Sequence, residues 1–199
     1  MNNWHHRTNG HAFTNGSTLP DHAGSAASLA EAAPLSFGQR RLWFLDQMEP
    51  GSPLYHVPYL VRLYGPLDRN ALERSIDAII GRHEALRTTF VPAGDEPVQV
   101  VAQDRSFRLT QTDLCGVDEV HRGSELDRLV REEALRPFDL RRDLMLRARL
   151  FQIDESEHAL LLVLHHIAAD GWSMAVLYRE LGVFYTAFSS GCIPLLPEL

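Results

Sequence analysis

Apolar positions along this chain recur in two rhythms, one helical and one extended. Leu42, Leu45 and Met48 fall three apart behind Ser36, a residue suited to capping a helix, so the spacing predicts a first helix over 36–47. Glu49-Pro50-Gly51-Ser52-Pro53 stops it. The aromatic and β-branched run from Tyr55 to Tyr64 predicts a strand, closed by Gly65-Pro66. Asp68 then caps a second helix carrying Leu72, Ile76, Ile79 and Ile80 on one stripe. Leu86 to Val91 and Pro97 to Ala102 predict a hairpin around Pro92-Ala93-Gly94-Asp95, and Phe107 to Thr112 a further short strand. Val117 to Leu135 is mostly charged, with Leu126, Leu129 and Val130 on one side, and predicts a surface helix ended by Pro137.

Two stronger strands follow. Met145 to Ile153 sets Arg147 and Arg149 on one face and Leu146, Ala148 and Leu150 on the other. His158 to His165 is nearly all apolar, as expected of a strand covered on both faces. Trp172 to Phe188 returns to helical spacing, and Ser189-Ser190-Gly191 ends it, leaving 194–199 as the start of a loop. Mixed elements with strands adjacent in sequence predict an α+β fold, a mainly antiparallel sheet with helices packed on it.

Composition adds boundaries. A chain of 199 residues that is 45% hydrophobic can bury one sizeable core, and a net charge of −7 argues against nucleic acid or an anionic membrane as partner. Residues 1–33 are rich in Asn, Gly, Ser, Ala and His and read as a flexible leader or linker, with the ordered domain at 34–199. His5-His6 has no further ligands at metal-site spacing. Cys115 and Cys192 form neither a disulfide framework nor a CxxC site, which suits a reducing, cytoplasmic setting. No stretch reaches the roughly 20 apolar residues of a membrane span.

The candidate chemistry lies at His165-His166-Ile167-Ala168-Ala169-Asp170-Gly171. Consecutive strand residues point to opposite faces, so one of the two rings turns inward and the other meets a different environment. A neutral imidazole accepts a proton near physiological pH, which makes the outward ring a candidate general base. Asp170 can cap the next helix or hold an arginine or a histidine nitrogen, and Gly171 permits a tight turn or close approach of a substrate. Satisfied core histidines, a metal site completed by a third ligand from elsewhere, and a chance turn remain open alternatives on chemistry alone.

Leu164 to Ser173 resembles the HHxxxDG active-site motif of condensation domains of nonribosomal peptide synthetases. Ser36 to Leu45 is similar to that family's first motif, with Gly38 where alanine is usual, and Arg82 to Phe90 is similar to its second. The wording of these two most resembles the subtype joining two L-amino acyl units. The resemblance covers 34–199. It implies one lobe of the two-lobed chloramphenicol acetyltransferase-like fold, with the C-terminal lobe absent and the isolated chain inactive.

It further implies amide formation between a carrier-bound aminoacyl or peptidyl thioester and the α-amine of a carrier-bound acceptor. The partners are then the upstream and downstream peptidyl carrier domains, which bring phosphopantetheine. The domain itself binds no metal or other cofactor. His166 is the implied catalytic residue, as proton acceptor or as the group that positions the amine. His165, Asp170 and Gly171 support the active-site structure, with Arg87, Arg147 and Arg149 as possible ion-pair partners of Asp170. Arg82, His83 and Glu84 read as shaping the fold, and Trp43 and Trp172 as core aromatics. A non-catalytic carrier-docking lobe and an epimerization domain, which shares the histidine motif, are the competing functions.

Overall fold

The structure is a computed structural model that describes residues 32–94, 96–103 and 107–199. The region read as a leader lies outside the described residues up to 31; from 33 the backbone is already in a strand. The helices are α1 (Phe37–Met48), α2 (Arg69–Arg82), α3 (Glu119–Leu135) and α4 (Gly171–Ser189). The strands are β1 (Ala33–Pro34), β2 (His56–Tyr64), β3 (Thr88–Ala93), β4 (Glu96–Val101), β5 (Thr110–Asp113), β6 (Leu146–Gln152) and β7 (Glu157–His165). Short 3₁₀ turns at Pro53–Tyr55 and Glu84–Arg87 lead into β2 and β3. Among the described residues, no helix is long and apolar enough to cross a membrane.

The main sheet has the order β2-β7-β6-β5, and a smaller sheet has β1-β4-β3. β7 pairs antiparallel with β2 and β6 over its length. β5 pairs parallel with β6, a direction the sequence pattern does not indicate. The expected strand there shortens to Thr110–Asp113, while Phe107 and Leu109 enter the core instead.

The unbroken apolar run of β7 follows from its place in the middle of two layers. Leu160, Leu162 and Leu164 meet the stripes of α2 and α4, among them Ile76, Ile79, Ile80, Leu177 and Phe184. Ala159, Leu161 and Val163 meet Leu126 and Leu129 of α3, with Phe90, Phe138 and Met145. Each fully buried leucine of this kind contributes about 2–5 kcal/mol against truncation to alanine.

α1 departs from its expected role. The Ser36–Gln39 capping box forms as its sequence suggests, yet no residue of α1 is buried. Phe37, Phe44 and Met48 stand exposed, and only Leu42 and Trp43 lean on the core.

Candidate active site

The site is built where β7 ends. His165 is the last residue of that strand and lies opposite His56 of β2. Its backbone N–H donates to Met145 O at 3.1 Å, and the N–H of His166 donates to Tyr55 O at 2.8 Å. The chain then turns tightly, with Ala168 N–H donating to His165 O at 3.0 Å. His166 therefore sits on backbone held from two sides, at the rim of the most buried strand. Its ring is exposed.

His165 points the other way and is 2% exposed, as the alternation of strand side chains requires. Its Nδ1 accepts the Ile167 N–H at 3.1 Å, so the ring itself ties the turn that follows His166. It stands edge-on to Phe138 and His56. Burial, reinforced by His56, His166 and Arg147, pushes its pKa down to about 4, and it is neutral at physiological pH. His56 is lowered as well, chiefly by burial, and its Nδ1–H donates to Ala134 O at 2.8 Å.

Asp170 caps α4. Its Oδ1 accepts from Ser173 N–H at 2.9 Å and from Ser173 Oγ at 2.8 Å, which holds the carboxyl below its ordinary range. The three arginines expected to pair with it have other partners. Arg87 donates to the carbonyls of Gly81 and Ala102 and pairs with Glu84. Arg147 lies over the Phe138 ring and donates to the carbonyls of Glu133, Arg136 and Pro137. It thus closes the C-terminus of α3, where free carbonyls attract a cation. Arg149 bonds Thr112 and pairs with Glu133. Asp170 is a helix cap here, and an arginine pairing is not what the geometry shows among the described residues.

Gly171 begins α4 without a left-handed backbone, and a Cβ added there would meet nothing within 4 Å. The fold among the described residues gives no steric reason for glycine at this position. Trp172 corrects the expectation of a core aromatic, since it is 81% exposed beside the motif; Trp43 does lean on the core, with its indole N–H buried and unpaired.

The condensation domain model matches residues 30–198. The chain belongs to the condensation domain family. A linear gramicidin synthase protein of Brevibacillus parabrevis is 48% identical over 166 residues, which are 83% of this chain and 3% of that protein. The X-domain from teicoplanin biosynthesis, solved in complex with OxyB, has a TM-score of 0.74 at 34% identity, with 85% of this chain and 35% of the other covered. The first condensation domain of the calcium-dependent antibiotic synthetase, bound to a substrate analogue, has a TM-score of 0.75 at 24% identity. It shows a shared fold over 83% of this chain and 39% of that one. The chain thus spans well under half the length of these relatives.

Arg82 and His83 are wired into α4. Glu180, 1% exposed in the middle of that helix, takes His83 Nε2 at 2.7 Å and Arg82 Nε at 3.3 Å. Arg82 also donates to Pro197 O, which ties in the segment after α4. No motif marks Glu180, and it is absent from the residues expected at the site. A signal for it exists, because a carboxylate three residues after Leu177 and four before Phe184 falls on the apolar stripe and must find a cation there.

Proposed function

We propose that this chain is the N-terminal lobe of a peptide-forming condensation domain and that His166 serves its reaction. An acceptor α-amine attacks the carbonyl carbon of a donor thioester. A C–N bond forms, the C–S bond breaks, the amine proton passes to the imidazole, and the departing thiolate takes up a proton. The donor and acceptor arrive on phosphopantetheine arms of the upstream and downstream carrier domains, in the cytoplasm. The single observation that carries this reading is the exposed His166 ring on backbone pinned by Tyr55 and Met145, the residues just before β2 and β6, with its twin His165 buried and neutral. Pre-organised placement of one imidazole is what positioning an amine requires.

The test is a complete condensation domain bearing this lobe, given two loaded carriers. The dipeptidyl acceptor carrier should appear by mass spectrometry, while the 199-residue chain alone gives none. Absence of any amide from the complete domain, or inversion of a single loaded residue instead, overturns the reading.

A second reading is a docking module. The exposed Phe37, Phe44 and Met48 of α1 favour it, as does likeness to an X-domain solved with a protein partner. Saturable binding of a loaded carrier by this lobe, without amide formation in the complete domain, would support it.

A further inference from the structure

We propose that the cavity beside the histidine loop is a side-chain pocket that selects neutral apolar aminoacyl groups, a specificity that rests on the condensation activity proposed above. The cavity measures about 340 Å³ and lies between the start of α4 and the end of α2. Leu164, just before the histidine pair, and Ala168 and Ala169, just after it, line one side; Val176 lines another. A group held here therefore sits against the same short loop that carries His166. The volume falls within the range of pockets that hold small organic ligands.

Two features set the chemistry. Ser173 Oγ and His83 Nε2, two of the polar groups on a mainly apolar lining, are already engaged, by Asp170 and by Glu180. Behind the wall, Arg82 matches the Glu180 carboxylate, so the pair presents no unmatched charge to the cavity. A charged side chain entering would lose its hydration with no opposite charge to meet, whereas an aliphatic or aromatic one would bury apolar surface on both sides. Trp172 lines the cavity while mostly exposed to water, so its indole offers apolar surface to a side chain held there.

Donor and acceptor side chains share this chemistry, and the experiment separates them. Aminoacyl-pantetheine amides of glycine, leucine, phenylalanine, aspartate and lysine are titrated into the complete domain by calorimetry. Each is used with a free amine, as acceptor mimic, and N-acetylated, as donor mimic. Leucyl and phenylalanyl amides should bind at least about tenfold tighter than aspartyl and lysyl in one of the two arms. Val176→Phe, which fills the cavity, should weaken leucyl and phenylalanyl relative to glycyl at least about fivefold. Val176→Ala, which enlarges it without strain, should keep the preference and move it toward phenylalanyl. Equal binding across side chains in both arms, or a Val176→Phe effect that is uniform or nil, overturns the pocket. Binding reads the pocket without turnover. Discrimination without amide formation sinks the proposed activity and leaves the pocket, and amide formation without discrimination does the reverse.

Discussion

Burial of His165 should make this protein measurably acid-sensitive in a range where most proteins are steady. The ring is held neutral with a pKa near 4, against an ordinary value of 6.5. Above about pH 7.5 it is neutral whether the chain is folded or not, and it adds no pH dependence. Below that pH the unfolded chain takes up a proton that the folded chain refuses, so stability falls as pH falls. The slope approaches about 1.4 kcal/mol per pH unit and flattens below about pH 4, for a total near 3 kcal/mol. At pH 4.5 the loss from this one group is about 2.5 kcal/mol. His165→Asn isolates it, because the amide oxygen can accept the Ile167 N–H in place of Nδ1 and does not titrate. Urea unfolding of wild type and variant between pH 7.5 and 4.5 gives two stability curves. Their difference should shrink by about 2.5 kcal/mol across that range, with His56 and the carboxylates cancelling. A difference constant to within about 0.5 kcal/mol would mean that the ring is not neutral and dry as the geometry requires.

Other outcomes follow from the same contacts. Glu180→Ala leaves Arg82 and His83 half-buried without their carboxylate and should cost roughly 3 kcal/mol in thermal or urea unfolding, with Glu180→Gln recovering part of it. Asp170→Ala removes the α4 cap and should cost about 1 kcal/mol by the same measurement, while Asp170→Ser retains most of the stability. Leu161→Ala in the middle of β7 should cost about 2–5 kcal/mol, whereas Val120→Ala on the exposed side of α3 should change stability by less than about 0.5 kcal/mol.

Much of the fold could be read from the chain because its strongest elements carry local signals. β7 is sandwiched between helical layers, so its apolar run is unbroken, and α2 and α4 show the stripes that cover it. The expected hairpin appears as Thr88–Ala93 and Glu96–Val101, with Leu86 drawn into the preceding 3₁₀ turn. A short strand near β5 is legible, but its parallel pairing is not, nor is the two-residue β1, since both depend on pairing with distant strands. The same limit applies at the site. The inward turn of His165 follows from strand alternation, and the Asp170 cap from its place before a helix. The partners of Arg87, Arg147 and Arg149 are carbonyls, hydroxyls and acids brought together only by folding. The exposure of α1 and Trp172 likewise depends on which surfaces the rest of the fold reaches.

The most direct test of the central claim uses His166→Ala in the complete domain, with amide product and melting temperature measured on the same preparations. Because the ring is exposed, the substitution should leave the melting temperature unchanged while product formation falls by about 10²-fold or more. Product at the wild-type rate from a folded variant would contradict the role assigned to this imidazole.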